Sequence, residues 1–219
     1  MKSRSISIKI SAELGSVSAE AIVPPKAKAM LVLAHGAGAG MTHAFMVSLS
    51  ESLAAQQIAT LRFNFLYMEN KKGRPDTPAV AHQAIDAALT KAQKLYPKLP
   101  LFAGGKSFGG RMTSQWMALQ PNDKVKGLIF LGFPLHAPGK PGIERAEHLK
   151  DVKVPMLFLT GSKDEFATWK LIDKVCAGLP LAELVKIEGA NHGFKAGKTD
   201  VISILSKLSG DWIDKVLIA

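Results

Sequence analysis

The chain has 219 residues, 47% apolar and 21% charged, which is ample material for a sizeable core and fits one domain spanning residues 1–219. That composition excludes a disordered chain, and a lone cysteine, Cys176, excludes an internal disulfide framework and leads us to expect a cytoplasmic protein. Lys+Arg 28 against Asp+Glu 18 leaves a net charge of +10, but the lysines are scattered among acids and the one tight cluster, Lys71-Lys72-Gly73-Arg74, has no interleaved aromatics, so solvated surface charge is favoured over a nucleic-acid groove.

No apolar run approaches the roughly 18 residues a membrane span needs, and the first seven residues alternate polar and apolar side chains, unlike a signal peptide. Short β-type runs then alternate with longer helical patterns. Residues 5–10 and 17–23 read as an antiparallel strand pair around Gly15, and 30–34 as a buried strand that leads into the glycine-rich stretch from His35 to Gly40. A helix over 44–57, a strand over 59–65 and a long amphipathic helix over 77–96 follow, the last with Pro78 in its first turn. Strand 101–104, helix 108–119 (stopped by Pro121) and strand 127–131 come next. The chain closes with a short helix over 144–149, strand 155–160, helix 169–177, strand 182–187 and a helix over 199–217 with a break expected near Gly210. Such alternation argues for an α/β fold, helices flanking a mostly parallel central sheet. Chemistry in such sheets gathers at the carboxyl ends of the strands.

After strand 101–104 stands Gly105-Lys106-Ser107-Phe108-Gly109, a G-x-S-x-G match between a strand and a helix. A serine on so sharp a turn needs small neighbours two residues either side, and the helix that follows aims its N–H groups and positive dipole end at the site. Composition alone yields about 0.1 such matches in a chain with 19 glycines, so the strand–turn–helix context carries the signal. The embedded Gly105-Lys106-Ser107 is not a phosphate-binding P-loop, because the glycine that loop requires five residues earlier is Pro100. Nor is His35 to Gly40 a dinucleotide fingerprint, whose third glycine would fall at Met41 or His43. It suits an oxyanion loop instead, with the N–H groups of Ala37 and Phe108 as the expected donors.

Strand 155–160 runs into Gly161-Ser162-Lys163-Asp164, and strand 182–187 into Glu188-Gly189-Ala190-Asn191-His192. Ser107, Asp164 and His192 thus occur in the order nucleophile, acid, base, each just past a strand end, which is the order of an α/β-hydrolase. A serine hydroxyl needs a base to take its proton, and the base needs a carboxylate to fix its tautomer. Strand 127–131 meets no acid before Glu144, and Glu165 should point away from its neighbour Asp164. His35 is read as a brace for the glycine turn, and His43, His82 and His148 as surface or packing residues. His136 is expected to line the site and govern specificity. Lys106 is read either as a contact for an anionic substrate or, more simply, as the partner of a nearby carboxylate. Arg111, near a helix N-terminus, should have an acidic partner, and Arg62, in an apolar strand, a buried one. One cysteine and dispersed histidines offer no metal site, and the methionines and phenylalanines are core filling.

The chain resembles the α/β-hydrolase superfamily along its whole length. Leu61-Arg62-Phe63-Asn64-Phe65 and Gly104-Gly105-Lys106-Ser107-Phe108-Gly109-Gly110-Arg111 look like the small dienelactone-hydrolase-like proteins grouped with the NSL-complex-subunit-like hydrolases. Prolines common in that group are here Leu66 and Glu165. The resemblance implies the sheet topology and a Ser–Asp–His site. Too few residues separate Leu131 from Pro155 for a large cap domain, so the site should be open, walled by the loops 67–74 and 133–142. The expected activity is cleavage of small carboxylic esters or thioesters without a cofactor. The alternative is a non-catalytic interaction protein that keeps the fold, and a nucleic-acid role stands third.

Overall fold

A computed structural model describes residues 3–218. Eight strands form one sheet: β1 (Arg4–Ser11), β2 (Gly15–Ile22), β3 (Ala29–Ala34), β4 (Ile58–Phe63), β5 (Leu101–Lys106), β6 (Val125–Leu131), β7 (Met156–Lys163) and β8 (Ala182–Asn191), in the spatial order β1-β2-β4-β3-β5-β6-β7-β8. β1 and β2 form an antiparallel hairpin, β2 meets β4 antiparallel, and every later pairing is parallel. β3 and β4 are buried at every position, as parallel strands covered on both faces should be.

Helices make the two covering layers. On one face α1 (Ala44–Ala55) and α6 (Val201–Ile218) pack Met46, Leu49, Leu53, Leu205 and Trp212 against Leu31, Leu33, Phe102 and Ile129. On the other, α3 (Pro78–Leu95), α4 (Phe108–Leu119) and α5 (Trp169–Ala177) pack Ala84, Ala88, Met112, Trp116 and Ile172 against Val32, Ala103, Phe130 and Phe158. The sheet residues in the two sets alternate along each strand, following the period-2 pleat. No helix among the described residues is long and apolar enough to cross a membrane.

Three local expectations change. The start of the loop expected over 67–74 is instead part of a short helix, α2 (Leu66–Glu69), whose Tyr67 is buried and donates its hydroxyl to the Gly36 carbonyl over 3.2 Å. The segment Glu144–Asp151 is a 3-10 helix. α6 runs unbroken through Gly210, because that glycine serves close packing: a Cβ there would lie 3.2 Å from the Gln56 Cβ, at the end of α1.

Candidate active site

The parallel strands β3 and β5 to β8 all deliver their carboxyl ends to one edge. Ser107 caps the junction of β5 and α4 with φ +49°, a left-handed backbone that a residue with a side chain adopts only when its surroundings force it. The surroundings are glycine. A Cβ on Gly105 would lie 2.4 Å from the Ala34 carbonyl oxygen, and one on Gly109 would lie 2.5 Å from that atom and 2.6 Å from the His35 oxygen. β3 and the start of α4 touch only because both positions lack side chains.

The Ser107 N–H is spent on the Leu131 carbonyl at 3.0 Å, which stitches the turn to β6. Its Oγ lies 2.9 Å from His192 Nε2, and His192 Nδ1 lies 2.9 Å from Asp164 Oδ1. An Nδ1–H donated to the carboxylate leaves Nε2 free to accept the serine proton. Asp164 is held in turn by the Phe166 N–H, which donates to Oδ1 over 2.8 Å, and its side chain is wholly enclosed. The Phe166 ring lies against the imidazole, centroids 4.2 Å apart. Beneath the pair is Gly132, with φ +67°, where a Cβ would be 3.3 Å from both Asp164 Oδ2 and His192 Nδ1. The three residues named from strand ends are thus brought into one hydrogen-bonded row.

The N–H groups of Ala37 and Phe108 have no protein acceptor among the described residues. The loop carrying Ala37 is braced from behind. His35 Nδ1–H donates to the Gly36 carbonyl at 2.8 Å, and its Nε2 accepts the Phe65 N–H at 3.0 Å. Burial pulls the His35 pKa down to about 4, so the ring works as a neutral double connector.

Around Ser107 is a cavity of about 270 Å³ lined by Ala37, Ala39, Phe45, Met46, Lys106 and Phe166, and also by His43, which was read as a surface or packing residue. Its walls are the β3–α1 loop and the first turn of α1 on one side and the turns after β5, β7 and β8 on the other. The expected walls, 67–74 and 133–142, contribute nothing to this lining. Tyr67 is turned inward, and Phe133 and Leu135 are buried in the core. Phe45, Met46 and Phe166 escaped the sequence reading, since an apolar residue at a helix start, or in a turn three residues before one, looks like any other core residue. His43 caps α1, its Nδ1 accepting the Phe45 N–H at 3.3 Å. A larger groove of about 770 Å³ lies between β1 and α3, lined by residues that include Lys9, His82, Asp86, Thr90 and Lys91.

Four further expectations meet the coordinates. His136 is absent from the cavity lining; its Nδ1 donates to the Ala137 carbonyl at 2.9 Å and its Nε2 accepts the Thr168 N–H at 3.4 Å, so it braces the loop that carries Asp164. Lys106 does line the cavity, but it makes no ion pair with a carboxylate among the described residues; its Nζ donates to the main-chain oxygen of His192. Arg111 likewise has no acidic partner among them, and burial together with Arg145 lowers its pKa. Arg62 is paired as read: its guanidinium meets Glu20 at 2.8 Å and the Met41 carbonyl at 2.7 Å. Among the described residues no group of three or more His, Cys, Asp or Glu side chains is placed to hold a metal ion.

Residues 27–209 match the family model described as an alpha/beta hydrolase domain. Two solved structures illustrate the likeness of fold. The dienelactone hydrolase from Anabaena variabilis superposes with a TM-score of 0.79 at 17% identity, over 98% of this chain and 97% of that one. A Xanthomonas campestris protein described as an a/b serine hydrolase without lid gives 0.74 at 18% identity, over 97% and 95%. A Mycobacterium tuberculosis protein named "Putative phosphoribosyl transferase" is 27% identical over 201 residues, covering 90% of this chain. The chain spans 43% of the length of that relative.

Proposed function

This chain belongs to the α/β-hydrolase family, and on that footing we propose that it is a serine hydrolase, cleaving small carboxylic esters or thioesters through an acyl-enzyme on Ser107. The observation that carries the reading is the 2.9 Å approach of His192 Nε2 to a serine Oγ held at φ +49°. A strained backbone at a residue with a free hydroxyl is retained where the hydroxyl has work to do, which argues against a pure interaction protein.

In the proposed cycle His192 Nε2 takes the Ser107 proton as Oγ attacks the acyl carbon. Asp164 holds the imidazole in the tautomer that can accept it and offsets the charge of the imidazolium. The negative oxygen of the tetrahedral intermediate is taken by the N–H groups of Ala37 and Phe108, each such donor contributing about 10²–10³ in rate. The imidazolium returns its proton to the departing alcohol or thiol. Water, deprotonated by the same imidazole, then releases the acid and restores Ser107. The chemistry asks for no cofactor. A cavity of about 270 Å³ with walls from Ala37, Ala39, Phe45 and Met46 suits a short or compact acyl group. The transferase name of the Mycobacterium relative describes a protein more than twice this length, and the Ser–His–Asp row is acyl-transfer machinery, so that name is not carried over.

The test is labelling with a fluorophosphonate followed by hydrolysis of p-nitrophenyl acetate. Wild type should take up one label per chain at Ser107, and Ser107→Ala should lose both label and turnover. A wild type that neither labels nor hydrolyses any short-chain ester or thioester would overturn the reading.

A further inference from the structure

The peptide of His192 is held from both sides by the chain neighbours of the other two members of the row. Its N–H donates to Glu165 Oε2 over 3.4 Å, and Glu165 directly follows Asp164. Its carbonyl accepts from Lys106 Nζ, and Lys106 directly precedes Ser107. The half-buried ammonium also lies beside two aromatic faces, 5.1 Å from the Phe194 centroid and 5.8 Å from that of Phe45. A charge half-withdrawn from water is held by so strong an acceptor, because each bond it gives up costs more there than at an open surface.

We propose that Lys106 is a positioning residue: its ammonium ties the main chain of His192 to the nucleophile turn, keeping the imidazole within reach of Ser107 during turnover. The inference rests on the proposed roles of Ser107 and His192. It assigns Lys106 no contact with substrate, in contrast to the anion-binding role open from the sequence. Nor is it an ordinary surface ion pair, since its acceptor is a neutral carbonyl.

The bond should weaken with pH. Burial lowers the Lys106 pKa to about 8, while Asp164 and Glu165, from the loop after β7, work in the opposite direction. The other titratable groups sharing its surroundings are His192, at the end of β8, and His43, at the start of α1. A neutral amine can still donate, but a charge-assisted bond is roughly twice as strong. Turnover should therefore decline as Lys106 loses its proton.

The experiment is steady-state kinetics of wild type, Lys106→Met and Lys106→Arg between pH 6 and 9.5, on neutral p-nitrophenyl acetate and on the anionic p-nitrophenyl hydrogen succinate. Lys106→Met should lower kcat about 10- to 100-fold near neutral pH and leave KM within about threefold on both esters, as expected of a misplaced base. The ratio of wild type to Lys106→Met should shrink above pH 8. Lys106→Arg, charged throughout, should recover part of kcat and lose the alkaline decline. Unchanged kcat in Lys106→Met, or a KM increase confined to the anionic ester, would overturn the proposal. Should Lys106→Met not fold, Glu165→Gln decides the matter: with one carboxylate gone, the alkaline decline should move to lower pH, and an unmoved profile counts against it. A wild type that takes no fluorophosphonate label is the separate failure of the proposed function itself.

Discussion

His192 Nδ1 lies 2.9 Å from both carboxylate oxygens of Asp164, so the imidazole is gripped across the full width of the acid. An asparagine there would offer an N–H as readily as an oxygen, turning the ring to the tautomer whose Nε2 carries a proton and cannot accept one from Ser107. Asp164→Asn is expected to lower kcat by about 10⁴ while the protein stays folded. Ester hydrolysis and circular dichroism, measured side by side, check this. A loss below tenfold in a folded protein would mean that another group orients the base.

Gly132 supplies a second test of the same geometry. An alanine there would have to keep φ +67° and place a methyl 3.3 Å from both Asp164 Oδ2 and His192 Nδ1. Left-handed strain of about 1–2 kcal/mol should lower the melting temperature of a chain this size by a few degrees. Displacement of the base should lower kcat by about tenfold or more, with KM little changed. Wild-type kcat in Gly132→Ala would show that the acid–base pair tolerates the methyl.

The brace behind the β3–α1 loop sets an acid limit. His35 has a folded-state pKa of about 4, lowered from 6.5 by burial, and its Nε2 is occupied by the Phe65 N–H. Between those values the unfolded chain binds a proton that the folded chain refuses. Stability is therefore intact above about pH 6.5, falls as the pH drops through the window, and the loss levels off below about pH 4. His148, also lowered to about 4 by burial, acts in the same direction from a more exposed position. Each fully buried neutral histidine contributes a slope of up to about 1.4 kcal/mol per pH unit. Urea unfolding midpoints from pH 7.5 to 4 measure this slope, and His35→Gln should flatten it. Equal slopes in the two proteins would rule out His35 as its source.

What could be read from the sequence was whatever depends on local pattern. Every strand lay in a short β-type run, alternating at the edges and apolar in the middle of the sheet, and the serine turn was recognisable because close approach demands glycine at 105 and 109. The row of Ser107, His192 and Asp164 followed from parallel topology, which sends strand ends to one edge. The cavity walls did not follow, because which loop folds over the serine depends on helix placement, and α2 formed where loop was expected. The partners of Lys106 and the place of His136 went unread for a related reason. Their partners are main-chain groups of His192, Ala137 and Thr168, and a main-chain carbonyl or N–H leaves no mark in the order of side chains.

The close approach of α6 to α1 at Gly210 gives the last helix a say in what the catalytic edge admits. Gln56, which meets Gly210, caps the helix whose first turn presents Phe45 and Met46 to the cavity around Ser107. A bulkier residue at 210 would act as a wedge at one end of a rigid rod and move the other. The shape of that cavity can thus drift through substitutions remote from every residue that lines it.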